Sequence, residues 1–311
     1  MHAILLLAHG TPDTLGEMKA YLDLVTSGRG VPDHVVEELQ HRYAEIGLRD
    51  TPGEEPPPLT RWTLKQADLL RQKISYPVYV GMRNWKPMIA AAVEQMKADG
   101  ITSARVICLA PQNSRTSIGL YKRDLMKALG EDPFMQVEFV EGWHDHPKLI
   151  EALSDRLLHT RVPADRVPHS SSEAKMSEKQ AILFTAHSVP CSTIQGETPD
   201  PYAQEAKHTA ALVAEKAGIP EWFFAFQSQG ASRGPWLGPT VEDTLKALKE
   251  MGYEEVVLHV IGFVCDHVEI LYDIDISFQQ YAKEIGLKIS RPESLNDHPL
   301  LIEALAELAT R

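Results

Sequence analysis

Short, almost uninterrupted apolar runs alternate along this chain with longer stretches in which apolar residues return every three or four positions. The first pattern marks strands buried on both faces and the second marks amphipathic helices. Strands are predicted over 3–8, 77–81, 104–110, 136–140, 180–185, 222–227 and 255–263. Helices are predicted over 15–26, 33–46, 63–74, 88–99, 121–129, 146–159, 202–217, 240–251, 277–285 and 299–309. Their alternation implies parallel sheets with helices on both faces. The proline- and acid-rich stretch 49–58 reads as a loop on the surface or over a cleft, and the aperiodic, serine-rich 161–179 reads as a linker.

The pattern repeats itself. Ile4-Leu5-Leu6-Leu7-Ala8-His9-Gly10-Thr11-Pro12 and Ile182-Leu183-Phe184-Thr185-Ala186-His187-Ser188-Val189-Pro190 are both apolar strands followed by Ala-His, a small residue and a nearby proline. Downstream, Asn84-Trp85-Lys86-Pro87 and Pro235-Trp236-Leu237-Gly238-Pro239 each lead into a helix, a glycine (Gly100, Gly252) and another buried strand. The expectation is an α/β fold of two similar Rossmann-like domains, 1–160 and 180–311, with a cleft between them. The last helix is expected to pack back on the first domain.

Composition narrows the class. A chain of 311 residues with 43% hydrophobic content can bury two such cores or one continuous double core, which excludes disordered and fibrous classes. A net charge of -12 argues against a general nucleic-acid surface but not against a local basic pocket. No run approaches 18 uncharged apolar residues and the first strand starts next to Met1, so a cytoplasmic protein without membrane insertion is expected. Cys108, Cys191 and Cys265 fit a reducing compartment and form no recognisable disulfide framework or cluster motif. A monomer is the plain assumption.

The chemistry concentrates at strand ends, where open α/β sheets build their sites. Gly262 to Asp273 places Cys265, Asp266, His267, Glu269, Tyr272 and Asp273 directly after an apolar strand. His187 could bind a metal or move protons, or could simply be hydrogen-bonded within its turn; the residues alone leave both open. Glu269 and Asp273 share a face if the segment is helical, suiting them to a cation or a proton path. There is no HExxH, GxGxxG or GxSxG pattern, and Gly230 to Gly234 is a weak phosphate loop without the required lysine.

Four motifs together carry a resemblance that runs over almost the whole chain. They are Ala186-His187-Ser188-Val189-Pro190, Phe226-Gln227-Ser228-Gln229-Gly230, Pro235-Trp236-Leu237-Gly238-Pro239 and the segment from Gly262 to Asp273. The chain resembles the ferrochelatases, in their compact bacterial form, which insert ferrous iron into a porphyrin held between two Rossmann-like domains. The resemblance implies that His187 and Glu269 are the catalytic and metal-binding pair, facing each other from opposite faces of the macrocycle. It implies a supporting acidic or proton path through His267 and Asp273, and porphyrin contacts from His9, Arg42, Tyr43 and Tyr121, with Arg42 pairing a propionate. Ser277 stands where many relatives carry another acid, which leaves an outer metal site open. The 49–58 loop departs from the family's glycine-serine-proline sequence, so no porphyrin contact is carried over to it.

On this reading Fe²⁺ is a substrate rather than a permanent cofactor. The partners are a porphyrin and the haem product, with coproporphyrin III favoured over protoporphyrin IX. The alternatives are a cobalt or iron chelatase for a reduced tetrapyrrole and a non-enzymatic haem or porphyrin carrier.

Overall fold

The computed structural model describes residues 1–161, 179–195, 199–230 and 234–311. The first half runs β1 (His2–Ala8), a 3₁₀ turn (Leu15–Glu17), α1 (Met18–Val25), α2 (Asp33–Glu45), α3 (Pro58–Lys73), β2 (Val78–Met82), α4 (Ile89–Ala98), β3 (Ser103–Cys108), α5 (Ile118–Leu129), β4 (Gln136–Val140) and α6 (Pro147–Arg161). The second runs β5 (Gln180–His187), α7 (Cys191–Ile194), α8 (Tyr202–Lys216), β6 (Phe223–Gln227), α9 (Val241–Glu250), β7 (Glu255–Val260), α10 (Val268–Leu271), a π-helical turn (Asp273–Phe278), α11 (Gln279–Glu284), β8 (Lys288–Ser290) and α12 (Pro299–Thr310).

The two halves are the same design. One parallel sheet has the order β2-β1-β3-β4 and the other β6-β5-β7-β8. Even the turns repeat, for Met82 N–H donates to Pro87 O at 2.6 Å and Phe226 N–H to Pro239 O at 2.8 Å. Most of the linker read from sequence, and residues 231–233 of the weak phosphate loop, lie outside the described residues.

Side-chain alternation along the central strands sorts the core. Ala3, Leu5 and Leu7 face an outer layer with α4 and α5, while Ala181 and Leu183 face another with α9 and the π-helical turn. Ile4, Leu6 and Ala8 share a single buried cluster with Ile182, Phe184 and Ala186, filled between the sheets by residues of α3, α6, α8 and α12. This middle layer crosses the halves. α6 follows the first sheet but packs on α8, and His259 of β7 hydrogen-bonds to its Leu153 carbonyl at 3.0 Å. α12 follows the second sheet but packs on α3, where Lys148 of α6 also meets its Glu303 at 3.1 Å.

Several boundaries differ from the sequence expectation for local reasons. The expected strand 255–263 stops at Val260, because Gly262 crosses close over β5. The helix expected from 277 begins earlier, in α10 and the π-helical turn, so Glu269 and Asp273 do not lie along one regular helix. β8, with only Lys288-Ile289-Ser290, carried no apolar pattern to betray it. No helix among the described residues is long and apolar enough to cross a membrane.

Candidate active site

A cavity of about 590 Å³ opens between the lobes at the carboxyl ends of the central strands. It is lined from the first lobe by His9, Tyr21, Tyr43 and Tyr121 and from the second by His187, Tyr202, His267 and Glu269.

The second lobe supplies the imidazole–carboxylate cluster. His187 ends β5, and its backbone is pinned by Tyr202, whose hydroxyl donates to the His187 carbonyl at 2.9 Å. A Cβ on Gly262 would meet Ala186 Cβ at 3.1 Å. The bare backbone there lets the chain turn tightly over the β5 tip and bring Glu269 to His187. Nδ1 of His187 lies 3.4 Å from Glu269 Oε2, out of hydrogen-bond alignment, and has no other partner. His267 approaches the same oxygen with Nε2 at 3.5 Å, while its Nδ1 is 3.1 Å from the Cys265 carbonyl.

Burial alone would raise the Glu269 carboxyl, but the surrounding imidazoles of His187, His267 and His9 outweigh it and hold its pKa down to about 2. The carboxylate is therefore ionised across the working pH range.

The expectation that His187 and Glu269 face each other across a macrocycle is corrected by this geometry. A gap of 3.4 Å admits no ring, and both groups come from the second lobe. Across the cavity stand His9 and the tyrosines of the first lobe. His9 directly follows β1, at the place corresponding to His187 at the end of β5. Its Nε2 is 3.0 Å from Asn84 Nδ2, and its Nδ1 is 3.1 Å from the Gly10 carbonyl and 3.2 Å from the Tyr21 hydroxyl. The ring is accessible through the cavity yet enclosed by protein, and that desolvation keeps its pKa below the usual imidazole range. Burial pushes the Tyr43 hydroxyl up to about 12 and Tyr121 higher still, so both line the cavity as neutral phenols.

Asp273 and Arg42 sit behind the cavity wall rather than in it. Asp273 accepts a hydrogen bond from Ser228 Oγ, and Arg42 Nη1 lies 3.6 Å from its Oδ1. Burial raises the Asp273 carboxyl to about 6, with the Glu269 charge adding to the effect and Ser228 and Arg42 opposing it. Arg42 also donates to Glu38 Oε1 at 2.5 Å and lies 5.3 Å from the Tyr272 ring centroid. Arg42 is thus paired with two carboxylates of the chain itself, Glu38 and Asp273.

Sequence reading missed Tyr21, Asn84 and Tyr202. Each looked like an ordinary helix or turn residue, since only the fold reveals that they hold the two strand-end histidines. Among the described residues, no group of three or more His, Cys, Asp or Glu side chains is arranged to hold a metal ion.

Two α/β lobes of matching topology, with an imidazole–carboxylate pair at the strand ends of the cleft, define a chelatase-type enzyme. The fold is similar to that of the sirohydrochlorin chelatase SirB from Bacillus subtilis subspecies spizizenii solved with cobalt. The TM-score is 0.58 at 12% identity, covering 99% of this chain and 93% of that one. The chain belongs to the ferrochelatase family, whose sequence model matches residues 1–311. It is 52% identical to a ferrochelatase of Acidobacterium capsulatum, over 99% of this chain and 93% of that protein. It is 34% identical to coproporphyrin III ferrochelatase 2 of Bacillus cereus, again over 99% and 93%. Its activity is the insertion of a metal ion into a tetrapyrrole, in haem and porphyrin biosynthesis.

Proposed function

We propose that the protein inserts Fe²⁺ into coproporphyrin III, with His187 and Glu269 working on one face of the ring. The observation that carries this reading is the 3.4 Å approach of an unbonded His187 Nδ1 to an ionised Glu269 at the wall of the interlobe cavity. Insertion replaces two pyrrole N–H protons by one Fe²⁺, so the site must take up protons as the metal descends. His187 accepts a pyrrole proton, and the adjacent carboxylate stabilises the imidazolium that forms. Glu269 and His187 also offer oxygen and nitrogen donors to the iron as it loses water. Protons leave through His267 and Asp273; a carboxyl poised at about 6 can take and release a proton near neutrality.

The four-carboxylate substrate is favoured by Arg49 and Arg61, two guanidinium groups among the residues lining the cavity. Relatives at 34% identity from Bacillus cereus and Geobacillus sp. that bear the name coproporphyrin III ferrochelatase support the same choice. Anaerobic assays with Fe²⁺ and either coproporphyrin III or protoporphyrin IX test it. A higher kcat/KM is expected for coproporphyrin III, and the reverse order would overturn the assignment.

A further inference from the structure

The loop between α2 and α3 supplies Arg49, Thr51, Gly53, Glu55 and Pro56 to the cavity wall, and Arg61 follows one turn into α3. Arg61 Nη1 donates to Glu55 Oε2 at 2.6 Å. Its guanidinium lies 4.9 Å from the ring centroid of Trp62, and its Nε is buried with no hydrogen-bond partner. An arginine held over an aromatic ring by cation–π attraction is partly restrained, and its fork can match a carboxylate through two parallel N–H donors. Glu55 engages that fork through one oxygen only, and its side chain is 69% accessible. An ion pair this exposed contributes little to stability and exchanges readily. The run Pro56-Pro57-Pro58 stiffens the chain between the two partners, so Glu55 is presented to Arg61 from a short, rigid arm.

We propose that Arg61 is the receptor for a peripheral carboxylate of the tetrapyrrole and that Glu55 occupies it until substrate arrives. This rests on the tetrapyrrole reading above. The exchange swaps one carboxylate for another at the guanidinium, with no proton transfer, and the released Glu55 turns to solvent. Glu55 is then a built-in competitor, which sets substrate affinity without touching the reacting atoms.

The test is a titration of the intact protein with metal-free coproporphyrin III, followed by tryptophan fluorescence, so that binding is read apart from turnover. Arg61→Gln is expected to raise Kd about tenfold, the effect of losing a charge-assisted pair. Glu55→Gln is expected to lower Kd about threefold, and the double variant to match Arg61→Gln alone. Arg61→Lys should recover only part of the affinity, because an ammonium lacks the planar fork. If Glu55→Gln weakens binding as Arg61→Gln does, the pair is a structural latch and the proposal falls. It falls too if the tetramethyl ester of coproporphyrin III shows the same loss with Arg61→Gln. Protoporphyrin IX, run in parallel, separates the two readings. A wild-type preference for it overturns the substrate choice, while an Arg61 effect on both porphyrins still supports the receptor.

Discussion

The two strand-end histidines occupy equivalent places in duplicated lobes and live in opposite circumstances. His9 is held at both ring nitrogens, by Asn84 on one side and by Gly10 and Tyr21 on the other. His187 has a buried Nδ1 with no hydrogen bond and an ionised Glu269 beside it. The turn after His9 takes the left-handed region at Gly10 (φ +89°), and the neighbouring strands deliver different side chains to the two rings. Two residues after Met82 stands Asn84, which reaches His9; two residues after its counterpart Phe226 stands Ser228, which reaches Asp273 instead. Duplication provides two imidazoles, and a few neighbours decide which one is held and which one can act.

The strongest way to break this asymmetry is to remove each imidazole in turn. His187→Ala should lower kcat for metal insertion on the order of 10³-fold, with circular dichroism and porphyrin affinity unchanged. His9→Ala should cost about tenfold or less, since it removes a held group rather than the proton acceptor. Equal losses would mean that the lobes share the chemistry. Glu269→Gln keeps the shape but removes the charge facing His187, and a drop in kcat on the order of 10²-fold is expected in the same assay. Unchanged turnover would strike Glu269 from the mechanism.

A subtler comparison lies inside the sheets. His259 in β7 occupies the register that Ile107 has in β3, next to Phe184 and Leu6 respectively. Burial holds the His259 imidazole down to about 4, and it stays neutral in the folded state. The unfolded chain takes up a proton there below about 6.5 while the folded chain does not, so stability present above that pH is lost as pH falls toward 4. The loss amounts to about 2 to 3 kcal/mol. His259→Ile, which copies the first lobe, should cost about 1 kcal/mol at neutral pH through the lost hydrogen bond to the Leu153 carbonyl. Urea denaturation between pH 7.5 and 4.5 should then show a shallower decline than the wild type. A decline of the same slope would place the acid sensitivity elsewhere.

The smallest effect sharpens the account of His9. Asn84→Ala should cost about 1 kcal/mol of stability and lower turnover only a few-fold, because Tyr21 and Gly10 still orient the ring. A loss as large as that of His187→Ala would show that Asn84 itself serves the reaction.

Much of this arrangement was legible in the amino-acid order. Buried parallel strands are near-continuous apolar runs, and the repeated Ala-His after two of them announced both the duplication and the cavity. What was hidden depends on contacts between distant positions. Nothing in the spacing of His187 and Glu269 says whether they stand apart or touch; Gly262 decides it by admitting the chain over Ala186. The ion pairs of Arg42 were hidden because its acidic partners lie four residues back in Glu38 and far along the chain in Asp273. The π-helical turn escaped because its residues, Asp273-Ile274-Asp275-Ile276-Ser277-Phe278, satisfy an ordinary helical pattern equally well.

The crossed middle layer limits how the enzyme can breathe. Because α6 and α12 each lie against the opposite sheet, prising the halves apart would tear one continuous oily seam running from Ile4 to Phe184. Neither half expressed alone could cover that seam, and a hinge of the kind that swings independent bodies has no place to turn. Admission of a flat guest therefore falls to the rim, built from the connections 46–57 and 109–117, while the frame keeps its gauge.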